Sequence, residues 1–316
     1  MSFSAEIKNE LCQLPTDPNC RKALCYGMLR FARSFSDRSM VIVTEHPGFA
    51  HLAASVLAEE CGVVVDLQTK ITHRKQTPES CTVQIEGDDQ RGRVLHHFGH
   101  DRTEVHGRIN RENLQKPGCA SAFLRGAFLA CGTVINPEKE YHLEFSVVHM
   151  HLAEDLSQLL SEVIEMHTMP AIIQRKGSYV VYLKESEAIA DLLTYLGAQN
   201  GSLELMQVKM VKELRNDVNR RSNCETANIM KTANAAAVQR IAIERIQKHL
   251  GLEHLSPELR ELCVLRYENP GMSLRELGEN LSEPISRSGV NHRLRRILEI
   301  AEALPPLEAE SDSPDD

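Results

Sequence analysis

Hydrophobic positions in the first two hundred residues fall into two similar runs, which indicates an internal duplication. Residues 24–31 form an apolar helical stretch that contains Gly27, and residues 123–130 repeat its character around Gly126. Each stretch is followed by signals for two strands, a helix, two strands and a helix, so both halves are predicted to be αββαββα. Glycine inside a helix costs about 1 kcal/mol relative to alanine. Two glycines at matching positions therefore predict helices that cross closely around a pseudo-twofold axis.

The predicted elements lie at matching positions in the two halves. In the first half they are a hairpin (34–35 and 40–44), a helix (50–61), two strands (63–72 and 81–86) and a helix (89–98) that Gly99 ends. In the second half they are a hairpin through Asn136 and Pro137 into 141–147, a helix (152–165), two strands (171–175 and 178–183) and a helix (187–196) that Gly197 ends. The expected fold is an α+β domain of two repeats followed by an all-α C-terminal domain.

The duplicated arrangement resembles the LAGLIDADG homing-endonuclease fold, and residues 124–132 lie on its nine-residue motif. In that family an acidic residue near the end of each motif holds the metal that cleaves DNA, because hard divalent cations need carboxylate oxygens. Here those positions are Ala32 and Cys131. The resemblance therefore implies a binding or structural body with no catalytic residue and no metal. Simple packing of two core helices is the alternative interpretation, and it is compatible with the repeat.

Residues 215–228 break the apolar pattern with four asparagines and three arginines. Asparagine competes for backbone hydrogen bonds, so the segment is predicted to be a poor helix and part of a linker. Arg215, Arg220 and Arg221 are candidates for contact with phosphates or bases; a polar loop that fixes the two domains together is the alternative. A helix is predicted over 234–250, before Gly251, with one stripe that comprises Val238, Ile241, Ala242, Ile246 and His249.

Three segments after residue 255 carry signals for helix starts. Ser256 and Pro257 are predicted to begin the first helix, as a capping serine and a proline at the first helical position. Ser273 and Glu276 form a capping box that opens a short second helix, whose inward positions are Leu274, Leu277 and Leu281. After Pro284, Ser286 is predicted to cap a third helix with one apolar face, formed by Val290, Leu294, Ile297, Leu298 and Ala301.

The second and third helices, joined by a predicted turn of about four residues, match the helix-turn-helix arrangement, in which the last helix enters the major groove of DNA. Residues 287–296 contain four arginines and no acid, and Ser, Asn and Arg side chains hold phosphates or read base edges. The DNA-binding candidates here are Ser273, Arg275, Ser286, Arg287, Ser288, Asn291, His292, Arg293, Arg295 and Arg296. A plain helical hairpin is the alternative. The pattern over 273–296 resembles the fourth region of bacterial sigma factors.

Charge is distributed unevenly along the chain, which changes the meaning of a net charge of −8. Residues 1–206 carry 20 basic and 26 acidic residues, residues 207–300 carry 16 and 12, and residues 301–316 carry six acidic residues and no basic ones. A basic segment between an acidic body and an acidic tail is typical of a chain in which one module meets phosphates. A solvated basic face is the alternative. The proline-rich, acidic tail is predicted to be disordered.

The composition excludes several classes of protein. With 316 residues, 42% of them hydrophobic, the chain has enough apolar material for about two or three cores. No apolar run approaches the roughly 18 to 20 residues of a membrane helix, and the N-terminus lacks a signal-peptide pattern. We therefore expect a cytoplasmic protein with no membrane partner, and the predicted DNA-binding helix adds the expectation that it is nucleoid-associated. The nine cysteines include no Cys-x-x-Cys pair and are expected to be reduced thiols, with no structural zinc and no cofactor.

Together these segments closely resemble the WhiA family of Gram-positive bacteria over nearly the whole chain. The most specific stretches are 123–130, 141–144, 181–185, 215–216 with 219–220 and 223–228, and 285–294. The resemblance implies a degenerate LAGLIDADG domain joined to a sigma-like helix-turn-helix. It also implies roles in transcription regulation, cell division and chromosome segregation, with sporulation in filamentous members. The predicted parts are a first repeat (1–110), a second repeat (111–206), a linker (207–232), a helix-turn-helix domain (233–304) and an acidic tail (305–316).

The expected function is sequence-specific binding of double-stranded DNA without enzymatic activity. Other transcription regulators or RNA polymerase are further candidate partners. One alternative is a residual LAGLIDADG-type endonuclease, which would need carboxylates near the two motif glycines. The other is a protein-interaction scaffold whose basic helix docks an acidic partner. Binding to random-sequence duplex DNA in moderate salt distinguishes the scaffold from the DNA-binding protein.

Overall fold

The computed structural model describes residues 2–70, 80–101, 107–163 and 170–306. Its contacts divide the chain into two compact units, residues 1–213 and 214–316. The predicted ends of one strand (71–72) and one helix (164–165), and residues 307–316 of the predicted tail, lie outside the described residues. The five-part division of the sequence stays a prediction.

The first unit begins with a helix that the sequence pattern did not predict. Helix α1 (Phe3–Gln13) is capped by Ser2, whose hydroxyl accepts a hydrogen bond from the N–H of Ala5. It buries Phe3, Ile7 and Leu11, which follow one another at intervals of about one helical turn.

Two repeats with the same order of elements follow α1, which confirms the predicted αββαββα pattern. The elements of the first repeat are α2 (Arg21–Arg30), β1 (Ser34–Phe35), β2 (Met40–Thr44), α3 (Pro47–Cys61), β3 (Val65–Lys70), β4 (Ser80–Ile85) and α4 (Asp88–His97). Those of the second repeat are α5 (Cys119–Cys131), β5 (Gly132–Val134), β6 (Leu143–Val147), α6 (Met150–Val163), β7 (Ala171–Arg175), β8 (Ser178–Leu183) and α7 (Ser186–Leu196).

Each repeat forms one four-stranded antiparallel sheet, and the two strand orders correspond. The orders are β1-β2-β4-β3 and β5-β6-β8-β7. Alternate residues of β2 and β4 are buried, as expected when a sheet packs one face against the core. Together the two repeats contribute one continuous hydrophobic core.

Helices α2 and α5 cross at the two predicted glycines. A Cβ atom added to Gly27 would collide with the carbonyl oxygen of Phe123, and one added to Gly126 would collide with the carbonyl oxygen of Leu24. The same added atom on Gly126 would lie 2.8 Å from the backbone nitrogen of Met28. The backbones therefore approach so closely that only glycine fits at the crossing. This contact explains why glycine occurs inside both helices, although it lowers helix stability relative to alanine.

The prediction that residues 215–228 are a poor helix is wrong. A single helix, α8 (Gln199–His249), runs through the whole segment. Helix propensities differ by only a few tenths of a kcal/mol among most residues, and the sequence contains neither glycine nor proline between residues 202 and 250. The asparagines therefore lower the helix propensity without stopping the helix.

The second unit packs the end of α8 against three helices, α9 (Pro257–Glu268), α10 (Leu274–Glu279) and α11 (Arg287–Glu302). The predicted stripe on α8 needs correction, because Val238 and Ile241 are 56% and 57% exposed. The buried positions are Ala236, Gln239, Ala242, Ile243 and Ile246. Ala242 and Ile246 of the predicted stripe are therefore buried as predicted, whereas Val238, Ile241 and His249 are exposed. The buried face is rotated relative to the predicted one and includes Ala236, Gln239 and Ile243.

Candidate nucleic-acid interface

The start of α10 is set by the predicted capping box. The hydroxyl of Ser273 accepts a hydrogen bond from the N–H of Glu276 at 3.3 Å, and the N–H of Ser273 donates to the Glu276 carboxylate at 2.7 Å. The Ser273 backbone hydrogen bond lowers the pKa of Glu276, so the box is closed at neutral pH. The start of α9 differs from the prediction: Pro257 is its first residue, but the side chain of Ser256 makes no capping hydrogen bond.

The turn between α10 and α11 spans residues 280–286, which is longer than the predicted four because α10 ends at Glu279. Its end is held against α10, since the N–H of Ile285 donates to the carbonyl oxygen of Gly278 at 3.0 Å. A Cβ atom on Gly278 would collide with the carbonyl oxygen of Ile285. The contact therefore requires glycine and fixes how α11 leaves the turn.

The same turn is tied to α9 by a carboxylate. The N–H and the hydroxyl of Ser282 donate to Glu261 at 2.5 Å and 2.9 Å. The backbone hydrogen bond lowers the pKa of Glu261, so the carboxylate is ionised at neutral pH and keeps both bonds. Helices α9, α10 and α11 are thus joined by polar contacts as well as by the core.

Helix α11 separates its apolar and polar residues onto two faces, as predicted. Ser286 caps it by accepting a hydrogen bond from the N–H of Gly289 at 3.3 Å. The buried residues are Val290, Leu294, Ile297 and Ala301. The exposed predicted residues are Arg287, Ser288, Asn291, His292, Arg295 and Arg296. These six exposed residues form what we call the polar face of α11.

The predicted arginines differ in their ionic partners. Arg275 pairs with Glu279 at 2.8 Å and Arg296 with Glu299 at 2.9 Å, both within one turn of the same helix. Arg293 is only 20% exposed at its side chain and pairs with Glu258 of α9 at 3.4 Å, so its position serves the packing of the unit. Among the described residues, Arg287 and Arg295 have no acidic partner within ion-pair distance.

Arg215, Arg220 and Arg221 are exposed on the middle of α8 and are not brought to the polar face of α11. At 1.5 Å per residue, Arg221 lies about 30 Å along the helix axis from Ala242, where α8 joins the core of the second unit. With about 100° of rotation per residue, the three arginines also point in different directions around α8. They do not form one continuous basic surface.

In the first unit, the two positions at which LAGLIDADG endonucleases carry an acidic metal ligand hold residues that are not acidic. Ala32 follows α2, and Cys131 is the last residue of α5. Desolvation raises the pKa of the thiol of Cys131, a half-buried residue packed against the core, to about 12, so the thiol is neutral at pH 7. Nearby, Lys8 of α1 donates from Nζ to the carbonyl oxygen of Leu129 at 3.1 Å. Burial lowers the pKa of Lys8.

No group of three or more His, Cys, Asp or Glu residues in the described ranges is arranged to hold a metal ion. Across the same ranges, no helix combines the length and apolarity that crossing a membrane requires.

Comparison with known proteins agrees with both units. The family model described as the WhiA C-terminal HTH domain matches residues 218–301, and that of the WhiA LAGLIDADG-like domain matches residues 120–215. A probable cell division protein WhiA from Clostridium botulinum is 37% identical over 317 residues, covering 96% of this chain and 99% of that protein. The chain belongs to the WhiA family. A WhiA protein of the same printed name from Clostridium novyi is 38% identical over 318 residues, covering 96% of this chain and 98% of its own length.

A solved WhiA structure shows the same fold. The crystal structure of full-length DUF199/WhiA from Thermatoga maritima matches with a TM-score of 0.58 at 24% identity, covering 97% of this chain and all of that chain. The resemblance drawn from the sequence, including the degenerate LAGLIDADG-like domain and the helix-turn-helix, is therefore confirmed.

Sequence reasoning missed two residues that position the helix-turn-helix of this WhiA chain. Arg266 is 2% exposed, and its guanidinium donates to the carbonyl oxygens of Pro270 and Met272 at 3.2 Å and 2.7 Å. It therefore shapes the connection between α9 and α10. Gly278 permits the contact with Ile285. A glycine in so short a helix was a visible signal, whereas nothing in the sequence marked Arg266 as buried.

Proposed function

We propose that this protein binds double-stranded DNA sequence-specifically, with α11 in the major groove. The observation that carries the proposal is the polar face of α11, which lies opposite the buried stripe and includes two arginines without acidic partners among the described residues. No acid occurs between residues 287 and 296, so the face does not repel phosphates. The capped start of α11 and the fixed turn before it support a helix held ready for insertion.

The residues of the polar face are assigned to base edges or to phosphates according to their position along α11. Arg287, Ser288 and Asn291 lie in its first turns, which in helix-turn-helix proteins meet the base edges. Arg295 and Arg296 lie about one to two and a half turns later and are assigned to phosphates. Arg293 is assigned a structural role, because its side chain is mostly buried and paired with Glu258.

Two variants test this division on a site selected from a random duplex library by the full chain. Loss of a base-reading side chain in Arg287→Ala should cost about 1 to 3 kcal/mol and relax the preference at one position. Arg295→Ala should weaken binding to all sequences alike and lower the salt slope by roughly one. Lys248→Ala removes an exposed cation from α8 and is the matched control. Variants that keep both affinity and preference would contradict the assignment.

We further propose that the LAGLIDADG-like unit does not cleave DNA. The two motif ends carry Ala32 and Cys131 instead of acids, and a protonated thiol is a poor ligand for Mg²⁺. Lys8 lies close to Cys131 and donates from Nζ to the carbonyl oxygen of Leu129, so this end of α5 offers a metal ion an amine donor instead of a carboxylate. Supercoiled plasmid incubated with Mg²⁺ or Mn²⁺ should remain intact. Nicking that disappears when a nearby carboxylate is replaced would overturn this proposal.

The biological role is proposed from the relatives. Those from Clostridium botulinum and Clostridium novyi are both named probable cell division protein WhiA. We therefore assign this chain a role in cell division. The resemblance drawn from the sequence adds transcription regulation or chromosome segregation as the route and a cytoplasmic, nucleoid-associated location, and it implies sporulation only for filamentous members. Other regulators or RNA polymerase are candidate partners. A genome-wide map of bound DNA should place the protein at specific sites; a map without enrichment would contradict the role.

A further inference from the structure

Two cysteines occupy the same position in the two repeats. Cys20 stands at the N-cap position of α2, where its side chain makes no capping hydrogen bond, and Cys119 is the first residue of α5. Each precedes the crossing glycine of its helix by seven residues, Gly27 in one case and Gly126 in the other. Because the helices cross at those glycines, the pseudo-twofold relation between the repeats also brings the two thiols together.

The two thiols are in contact across the boundary between the repeats. Their Sγ atoms lie 3.2 Å apart, and the residues are 5% and 3% exposed. The contacts around them are exchanged between the repeats: Cys20 Sγ lies 3.4 Å from the carbonyl oxygen of Pro117, and Cys119 Sγ lies 3.6 Å from that of Asn19. Each cysteine is therefore held by the segment that leads into the other helix.

We propose that Cys20 and Cys119 are a redox-sensitive modification site that peroxides convert into a reversible disulfide joining the two repeats. In the first step a thiolate sulfur attacks one oxygen of hydrogen peroxide and breaks the O–O bond, which gives a sulfenic acid and a hydroxide that takes up the proton lost by the thiol and becomes water. In the second step the other thiol attacks the sulfenic sulfur, forms the S–S bond and releases a second water. Two thiols are oxidised by two electrons and one peroxide is reduced to two waters. An added dithiol reverses the change by thiol–disulfide exchange.

The environment sets the expected pH dependence of this oxidation. Burial, with a smaller effect of the hydrogen bond from Cys119, raises the pKa of Cys20 to about 11. The thiolate is the reacting species, so the oxidation rate should rise as the pH increases from 7 towards 11. At neutral pH the pair therefore reacts slowly.

A second pair of thiols provides an internal comparison. Cys25 and Cys61 lie 4.0 Å apart, and both belong to the first repeat. A disulfide there would close a loop of 36 residues, whereas the bond between Cys20 and Cys119 spans 99 residues and ties the two repeats to each other. The longer loop restricts the unfolded chain more, so the bond should raise the Tm of the first unit by about 5 to 10 °C.

The test uses the full reduced chain treated with hydrogen peroxide, alkylated with N-ethylmaleimide and digested without reduction for peptide mass spectrometry. We expect a linked peptide that contains Cys20 and Cys119, disappears on addition of dithiothreitol and forms faster at pH 9 than at pH 7. The rise in Tm should accompany it. Cys20→Ala and Cys119→Ala should each abolish the linked peptide, whereas Cys25→Ala and the exposed Cys224→Ala should retain it.

Peptide mass spectrometry of the wild-type chain tests the proposal even if an alanine variant folds poorly. Recovery of Cys20 and Cys119 as alkylated thiols, while Cys61 or Cys224 is oxidised, would overturn it. A disulfide between Cys25 and Cys61 in place of the expected one would overturn it as well. None of these measurements involves DNA, so failure here is distinct from failure of the proposed DNA binding.

Discussion

Gly27 and Gly126 hold α2 and α5 at a separation that leaves no space for a Cβ atom. In an isolated helix, replacing glycine by alanine stabilises by about 1 kcal/mol. Here we expect the opposite sign: Gly126→Ala should destabilise the first unit by about 1 to 3 kcal/mol, because backbone rather than a flexible side chain must move. Urea unfolding measures the change. Gly271→Ala, where the added atom meets open space, should leave stability nearly unchanged.

At the scale of single residues, the sequence predicted those whose role depends on nearby positions in the chain. The crossing glycines followed from the repeat, and the caps at Ser273 and Ser286 followed from spacing alone. Pairings such as Arg293 with Glu258 could not be predicted, because they join residues 35 positions apart on different helices. The division of the polar face into paired and unpaired arginines was therefore available only from the structure.

At the scale of elements, the connection between α9 and α10 depends on one buried side chain. Arg266→Met should keep the packing volume but leave the carbonyl oxygens of Pro270 and Met272 without their donor. We expect a loss of about 1.5 to 3 kcal/mol in the stability of the second unit, together with weaker DNA binding. Thermal unfolding monitored by circular dichroism gives the first value. The exposed Arg275→Ala serves as control for stability, and equal Tm values for the two variants would show that Arg266 has no such role.

The elements themselves were predicted with different success. Strands β7 and β8 and the hairpin strands β1 and β2 have the predicted bounds, since turn residues and alternation coincide there. Helix α8 was misread, because the polar composition of 215–228 was given more weight than the absence of glycine and proline. The stripe over 234–250 was predicted in part: Ala242 and Ile246 are buried, but Val238 and Ile241 are apolar and exposed, and apolar residues on a surface are common.

At the scale of the whole molecule, the second unit has a hydrophobic core of its own. We therefore expect residues 230–304 to fold alone, with the end of α8 covering the core that α9, α10 and α11 share. The isolated fragment should give a cooperative helical melt and retain weak affinity for duplex DNA. A fragment without a cooperative transition would show that the first unit is needed to complete this core.

Binding of DNA by the polar face of α11 is tested most directly by the salt dependence of binding by the full chain to the site selected from the random duplex library. Arg287→Ala/Arg295→Ala should lower the affinity at least about tenfold and reduce the salt slope, because both side chains are exposed and have no acidic partner among the described residues. Lys248→Ala should bind like the wild type. Unchanged affinity and slope in the double variant, with loss of binding when Arg215, Arg220 and Arg221 are replaced together, would contradict the account and move the interface to α8.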